Sequence, residues 1–167
     1  MTIHIKKLSD LTVTSRKNTA INFHADTFTQ LLLSNGIKER NMETWQDYVE
    51  RLTSSGKVTQ AAIVGLDGTI WAQSPELNIS SDEISQILAG FKDDSILLAT
   101  GIHINGVEYM HRRSYENQIQ FKYQETGVHI AKTTTCIIIG TYIAGMEPID
   151  TQAAISRAQE LLLKAGY

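Results

Sequence analysis

Two short apolar runs separated by a turn organise the middle of the chain. Residues 61–64 and 69–73 flank the turn Leu66-Asp67-Gly68. An Asp-Gly turn between an apolar run and a run rich in β-branched and aromatic residues predicts a β-hairpin. Trp71 lies at the centre of the second predicted strand, and Trp45, the other tryptophan, lies shortly before the hairpin. We expect these two rings to form half of a recognition surface.

Two capping boxes predict the helices on either side of this hairpin. Thr44 and Asp47 have the required spacing, as do Ser80 and Glu83. Apolar residues follow each box at helical intervals, and the second helix is expected to end near Lys92. These residues are Trp45, Tyr48, Val49 and Leu52 in the first helix, and Ile84, Ile87, Leu88 and Phe91 in the second.

A third helix is predicted at the end of the chain, after Pro148. Asp150 is expected to cap it, and Gly166 marks its end. Its apolar face is predicted to consist of Ala154, Ile155, Ala158, Leu161, Leu162 and Ala165.

Between the second and third helices the pattern changes to that of strands. Asn105-Gly106 supplies the two positive-φ residues of a type I′ turn, which predicts a second hairpin. Ile119, Phe121 and Tyr123 alternate with polar residues, so their strand should be half buried. Residues 136–143 read CIIIGTYI and predict a central strand that is covered on both faces.

The predicted order is helix, two strands, helix, about five strands in a meander, and helix. A single antiparallel sheet of this kind needs a helical layer on each face. The first and last helices are expected to share one face, with the helix at 81–91 on the other. The fold class is therefore α/β (α+β), a central antiparallel sheet between two helical layers.

Composition and charge narrow the classes of function. The net charge is −3, but residues 1–41 carry six basic and three acidic side chains, whereas the remainder carries nine and fifteen. An acidic body without a basic face argues against a nucleic-acid partner. No apolar block resembles a secretory signal or a membrane span, and the single cysteine, Cys136, is expected to be buried and inert. We therefore expect a cytoplasmic protein.

Residues 1–41 form an extension ahead of the compact domain at 42–167. Phe28, Leu31 and Leu32 have helical spacing, so a short helix is predicted near 27–34, with Asp26 as its N-cap. The rest of the extension is expected to be largely flexible. Its net charge of +3 opposes the −6 of the body, and a short tether gives a high effective concentration. Transient covering of the aromatic surface is one expectation, and an extension without contacts is the other.

The compact domain resembles the profilin family over essentially its whole length. The resemblance rests on several stretches that occur in order and at the right intervals. They are WQDY at 45–48, AAIVGLDGTIWAQS at 61–74, GVEYM at 106–110, the run at 132–142 and the C-terminal aromatic. Profilins bind monomeric actin with one surface and proline-rich segments with another, and many bind acidic phosphoinositides. The resemblance implies a monomeric binding protein without enzymatic activity or cofactor.

The implied proline-rich site is an aromatic groove between the terminal helices and the adjacent strand. A polyproline II ligand is already ordered, so flat rings hold it with little loss of entropy. Leu161 departs from the family pattern, because profilins commonly place His or Tyr there, and the loss of that ring edge is expected to weaken binding. The implied site residues are Trp45, Tyr48, Trp71, Leu161, Leu162 and Tyr167.

The implied actin-binding surface combines the later strands with the start of the last helix. It falls on His111, Arg113, Lys122, Tyr123, Met146, Glu147, Gln152 and Arg157. Glu108 and Tyr123 occupy positions that are often basic in the family. We expect these departures either to weaken a contact with acidic actin or to mark a partner with a different surface. For any one of these residues, a solvated surface position is as good an interpretation as a contact.

Phosphoinositide binding is the third activity that the resemblance implies, and the charge pattern supports it least. The available cations are Arg112, Arg113, Lys122 and Lys132. An acidic body opposes an anionic membrane, and each cation near the surface contributes only about 1 kcal/mol.

Catalytic and scaffold functions are the alternatives. His103 is predicted to face Glu108 across the Asn-Gly hairpin, where a charge pair is a better interpretation than a general base and its partner. The five histidines show no metal-ligand spacing, and no nucleophile motif or phosphate loop occurs. A roadblock or longin scaffold that binds small GTPases has a similar layered architecture. It would not require Trp45, Tyr48, Trp71 and Tyr167 to converge.

Overall fold

A seven-stranded antiparallel sheet is the centre of the domain. Its strands are β3 (Gln60–Gly65), β4 (Ile70–Gln73), β5 (Ile102–Ile104), β6 (Val107–Tyr115), β7 (Gln118–Tyr123), β8 (Thr126–Lys132) and β9 (Cys136–Tyr142). Their order across the sheet is β4-β3-β9-β8-β7-β6-β5. The five later strands follow one another as a meander, and β9 then pairs with β3, which confirms the predicted antiparallel arrangement.

Among the described residues, four helices cover the two faces of this sheet. They are α1 (Trp45–Ser54), α2 (Ser81–Gly90), α3 (Ser95–Thr100) and α4 (Pro148–Lys164). α1 and α4 pack on one face through Val49, Leu52, Ile155 and Leu162. α2 and α3 pack on the other, where Ile84, Ile87 and Leu97 are buried. The predicted sandwich with the first and last helices on one face is confirmed.

The computed structural model describes residues 13–14, 20–21, 44–93 and 95–167. The chain divides into two units, Met1–Met42 and Glu43–Tyr167. In the first unit, β1 (Val13–Thr14) pairs antiparallel with β2 (Ala20–Ile21). The predicted helix near 27–34 lies outside the described residues. Two further expectations also concern residues outside the described ones and stay predictions. They are that the rest of the extension is flexible and that it transiently covers the aromatic surface.

Local sequence signals place several element ends correctly. Both capping boxes are present: the Thr44 side chain accepts a hydrogen bond from the backbone N–H of Asp47, and Ser80 accepts one from Glu83. Asn105 and Gly106 have φ values of 53° and 71°, as a type I′ turn requires. All seven residues of β9 are buried, including Cys136.

The last helix begins earlier than predicted. Glu147 is its N-cap residue and makes no side-chain capping bond, while Pro148 occupies the first helical turn. Proline suits this position because its fixed φ is helical and its missing N–H would have no intrahelical partner. Asp150 therefore lies inside the first turn, where its Oδ1 is 3.8 Å from Lys57 Nζ. The prediction that Asp150 caps the helix was wrong.

Two further expectations on the middle of the chain need correction. α2 ends at Gly90 rather than near Lys92, and the short helix α3 was not predicted. The two helices lie so close that a Cβ at position 90 would overlap the Leu97 side chain. In β7, Gln120 is buried and Tyr123 is 45% exposed, so the predicted alternation fails at both positions. Tyr123 is the last residue of β7, next to the turn to β8.

Candidate functional site

Four aromatic side chains meet on the face of the sheet that carries α1 and α4. The Trp45 ring centroid lies 4.6 Å from that of Trp71 and 4.7 Å from that of Tyr167. Tyr48 lies 6.0 Å from Trp45, and Trp71 lies 6.5 Å from Tyr167. The four rings, called the aromatic cluster below, come from α1, β4 and the chain end. The structure thus brings together four of the residues predicted for the proline-rich site.

The strand side of the aromatic cluster depends on a glycine. A Cβ at Gly65 would lie 2.9 Å from Trp71 Nε1 and 2.5 Å from Asp67 Oδ1. Only a residue without a side chain lets the indole lie this close to β3. Asp67 is itself held in the turn, because its Oδ1 accepts a hydrogen bond of 2.9 Å from the backbone N–H of Thr69. This bond keeps the pKa of Asp67 below its usual value.

The C-terminal side depends on how α4 ends. Gly166 has a φ of 92°, and its N–H donates to the Leu163 carbonyl oxygen. The N–H of Tyr167 donates to the Leu162 carbonyl oxygen at 3.0 Å. These two bonds form a Schellman motif, which satisfies the last carbonyls of the helix and reverses the chain direction. The reversal places the Tyr167 ring beside Trp45.

The two leucines predicted for this site have different positions. Leu161 is 44% exposed and lines a groove between α1 and α4. Leu162 is 0% exposed and belongs to the core beneath the cluster. The assignment of Leu162 as a contact residue is therefore corrected: successive helical residues point about 100° apart, so only one of the pair reaches the surface. Leu162 therefore supports the aromatic cluster by packing in the core beneath it.

A second concave region lies between β6 and the start of α4, and we call it the β6–α4 cavity. Its volume is about 240 Å³. Its lining comprises Arg112, Arg113, Tyr115, Gln120, His129, Glu147, Pro148, Ile149 and Gln152. Three of the residues predicted for the actin surface, Arg113, Glu147 and Gln152, are therefore neighbours.

A β-bulge explains why two consecutive arginines line the same cavity. His111 pairs with Phe121 and Arg113 pairs with Gln120, so Arg112 is the extra residue in β6. In a regular strand, neighbouring side chains would point to opposite faces. A bulge interrupts this alternation and redirects a side chain.

The polar groups of the cavity are arranged around a buried floor. Arg113 donates a hydrogen bond of 2.9 Å to the Tyr115 hydroxyl, which lowers the pKa of Tyr115 and raises that of Arg113. Gln120 is buried, and its Nε2 has no hydrogen-bond partner among the described residues. Burial and the nearby Arg112 lower the pKa of His129 to about 4, so its imidazole is neutral at pH 7.

The remaining residues predicted for the actin surface do not line this cavity. His111 bonds Ser114 at 2.8 Å through Nε2, and Lys122 and Tyr123 are exposed on β7. Met146 accepts a hydrogen bond from Thr59 through its sulfur. Arg157 lines the groove between α1 and α4 instead.

The four cations predicted for phosphoinositides do not form one cluster. Arg112 and Arg113 share the β6–α4 cavity. Lys122 is on β7, whereas the Nζ of Lys132 lies 5.8 Å from the ring centroid of Phe91, beside α2. Only the two arginines are brought together.

Sequence reasoning missed several residues of the β6–α4 cavity, namely Tyr115, Gln120, His129, Pro148 and Ile149. No local pattern marks Gln120 or His129, which face each other across β7 and β8. Only the pairing register of β6, β7 and β8 places Gln120 and His129 next to the two arginines. In the part of the chain that the structure describes, no three metal-ligating side chains gather to hold an ion. None of the described helices is long and apolar enough to cross a membrane.

Comparison with known proteins identifies the family. The profilin family model matches residues 43–167. The chain belongs to the profilin family. Profilin of Bombyx mori is 37% identical over 125 residues, which cover 74% of this chain and 99% of that protein. The crystal structure of Acanthamoeba castellanii profilin II matches with a TM-score of 0.72 and 30% identity, covering 74% of this chain and all of that one.

A structure of mouse profilin IIa in complex with a double repeat from the FH1 domain of mDia1 has the same fold. Its TM-score is 0.62, its identity is 22%, and the match covers 75% of this chain and all of that one. The profilin family consists of non-enzymatic, actin-binding proteins. Membership of this family replaces the roadblock or longin scaffold as the interpretation of the layered architecture.

Proposed function

We propose that this profilin binds proline-rich segments at the aromatic cluster and monomeric actin at the surface around the β6–α4 cavity. It acts as a monomer in the cytoplasm. It holds actin monomers on one surface while proline-rich assembly factors dock on the other, and so regulates actin assembly by delivering monomers to growing filament ends.

The convergence of four rings on one surface is the observation that carries this proposal. Trp45, Trp71 and Tyr167 come from three separate parts of the chain and meet at centroid distances of 4.6 to 6.5 Å. Each of these rings is only partly buried. Flat, partly exposed rings that are fixed by their neighbours match the ridges of a polyproline II helix.

Titration with a proline decamer tests the peptide site. Trp45 and Trp71 are the only tryptophans in the chain and both lie in the aromatic cluster, so their fluorescence should change on binding. Truncation of Trp71 to Ala should weaken binding by about 2 kcal/mol or more, as loss of a central aromatic anchor does. Far-UV circular dichroism checks that the variant is folded. Unchanged affinity in a folded Trp71→Ala protein would refute the assignment.

Pyrene-actin polymerisation tests the actin site. Arg113→Glu reverses a charge at the β6–α4 cavity and should weaken actin binding without changing the affinity for the proline decamer. Lys92→Glu is the control, because Lys92 is exposed beyond the end of α2 and does not line the β6–α4 cavity. Equal loss of both activities in Arg113→Glu would point to unfolding. Full actin affinity would remove Arg113 from the contact surface.

Acidic phosphoinositides are a third proposed ligand. Arg112 and Arg113 share one cavity, which makes that cavity the place where a phosphorylated headgroup would bind. Two cations near a membrane contribute about 2 kcal/mol in total. Co-sedimentation with phosphatidylcholine vesicles, with and without phosphatidylinositol bisphosphate, measures this binding. Sedimentation that is equal with both vesicle types would exclude the lipid.

A further inference from the structure

A serine near the end of β6 has an exposed side chain and two arginines directly before it. The sequence reads HRRSY at 111–115, and Ser114 is exposed. β5 pairs with β6 at residues 107–109, so among the described strands only β7 pairs with residues 110–115. An unpaired strand edge is the part of a sheet that another protein can reach. The backbone around Ser114 is therefore extended and has no strand partner on one side.

The side chain of Ser114 lies on the face of the sheet that carries α2. Ser114 pairs with Ile119, and His111 pairs with Phe121. Both partners are buried in the core on the α2 side, and directly paired residues carry their side chains on the same face. Ser114 Oγ accordingly lies 2.8 Å from His111 Nε2.

A polar cavity lies beside this serine, and we call it the β6–α2 cavity. Its volume is about 300 Å³. Phe91, Lys92, Asp93 and Asn117 line it together with Ser114. The hydroxyl of Ser114 therefore has open space next to it, at a wall formed by the end of α2.

The charged groups around the β6–α2 cavity suit a phosphate on Ser114. The imidazole of His111 can accept a hydrogen bond from the hydroxyl and, when protonated, donate one to a phosphate oxygen. Lys92 is exposed at the cavity. The carboxylate of Asp93 is already engaged, because its Oδ1 accepts a hydrogen bond of 3.1 Å from the backbone N–H of Ser95. A phosphate would thus find two side chains that form charge-assisted hydrogen bonds.

We propose that Ser114 is a phosphorylation site for a serine kinase that recognises basic residues before its acceptor. Kinases select substrates by such charge patterns, and Arg112 and Arg113 occupy the two preceding positions. Ser114 Oγ forms a bond to the γ-phosphorus of ATP, while the bond between that phosphorus and the β–γ bridging oxygen breaks. ADP leaves with the electron pair of the broken bond, and the hydroxyl proton passes to the catalytic aspartate of the kinase.

The consequence of this modification is a loss of actin affinity, and this part of the inference rests on the proposed function. A phosphoserine adds a charge of about −1.5 to −2 at pH 7. It lies next to Arg113 in the chain and against His111 in space. Both residues are predicted for the actin surface, so the added charge opposes an acidic partner there. The aromatic cluster contains no residue of β6 and should bind proline-rich ligands as before.

Phosphorylation of the folded, full-length chain tests the modification site. The protein is incubated with MgATP and, separately, the catalytic subunits of protein kinases A and C, and the phosphopeptides are mapped by mass spectrometry. At least one kinase should modify Ser114. Arg112→Gln should slow this modification about five- to tenfold, whereas Lys122→Gln, which removes an exposed cation from β7, should leave its rate unchanged. No phosphate on Ser114 with either kinase, or equal rates in the two variants, would overturn the proposal.

Pyrene-actin assays test the consequence. Ser9 follows Lys6 and Lys7 in the extension and offers the same kinases a second site. Kinase-treated Ser114→Ala is therefore the matched control, since it differs from the treated protein at Ser114 alone. The treated protein should bind actin about three- to tenfold more weakly than this control, and the difference should shrink in higher salt. Untreated Ser114→Glu carries a single added charge and should show a smaller loss in the same direction.

The possible failures can be told apart. An unchanged affinity for the proline decamer in every sample shows that the proteins are folded. Equal actin affinity of the treated protein and the treated Ser114→Ala variant would overturn the effect on actin. If the untreated protein does not bind actin, the proposed function fails and the effect on actin fails with it, whereas a mapped phosphate on Ser114 still supports the modification site.

Discussion

The buried histidine of the β6–α4 cavity should make the stability of the domain depend on pH. His129 is 4% exposed, and its ring centroid lies 5.8 Å from that of Tyr142. Burial removes water from the charged imidazolium, and the nearby Arg112 repels it, so the pKa is lowered from 6.5 to about 4. In the unfolded chain the same group keeps its ordinary pKa. Between about pH 4 and 6.5, His129 is therefore mostly protonated in the unfolded state and mostly neutral in the folded state.

The sign and size of the effect follow from this difference. Well above pH 6.5 both states are neutral at His129 and the contribution is constant. As the pH falls from 6.5 towards 4, the free energy of unfolding decreases, because protonation favours the unfolded chain. A pKa difference of about 2.5 units corresponds to roughly 3 kcal/mol, of which about 2.5 kcal/mol is lost by pH 4.5. A typical domain has only about 5–15 kcal/mol of stability.

Urea unfolding between pH 7.5 and 4.5 measures this loss. His129→Gln keeps a polar side chain of similar size but cannot titrate, so its stability should fall by about 2–3 kcal/mol less than that of the unmodified protein over this range. His103→Gln is the matched control, because His103 is exposed on β5 opposite Glu108. The control should follow the unmodified protein.

Carboxylates do not obscure the comparison. The lowered pKa values of Asp47, Asp67 and Asp93 stabilise the folded state above 3.8, and this stabilisation is lost only below that pH. A pH profile for His129→Gln that is parallel to that of the unmodified protein would show that the buried imidazole is not the source. The reasoning from burial would then be wrong.

A substitution at Gly65 and a thiol reaction at Cys136 test the packing of the domain. Gly65→Ala should displace the Trp71 ring and destabilise the domain by about 1–3 kcal/mol through overpacking. It should also weaken proline-decamer binding without changing actin binding. Unchanged peptide affinity together with an unchanged near-UV tryptophan signal would contradict the close packing. Cys136 is fully buried, and its pKa is raised by burial, so a thiol reagent should modify the native protein far more slowly than the protein in urea. Equal rates in the two conditions would show that the thiol is accessible.

Short-range signals allowed much of the fold to be predicted from the sequence. The capping boxes at Thr44 and Ser80 and the turn at Asn105-Gly106 appear in the structure as expected. Each involves a backbone group and a side chain only a few residues apart, so neighbouring residues suffice to define it. The apolar strand β9 was predictable for a related reason, since only a strand covered on both faces consists of apolar residues throughout.

Strand register and the packing of layers determined features of the site that local sequence patterns do not define. Arg112 and Arg113 share a cavity only because a bulge shifts the register of β6 against β7. Gln120 is buried and Tyr123 is exposed because of the layers and turns beside them, which alternation along one strand does not reveal. The rotation of α4 about its axis put Leu161 on the surface and Leu162 in the core.

The aromatic cluster combines both kinds of information. The sequence contains the local determinants of each ring: the capping box ahead of Trp45, the Asp-Gly turn before Trp71, and Gly166 before Tyr167. Their meeting requires α1, β4 and the end of α4 to pack on one face of the sheet. Burial of apolar surface drives that packing and is not directional, so the contacts between distant segments are defined only when the whole core forms.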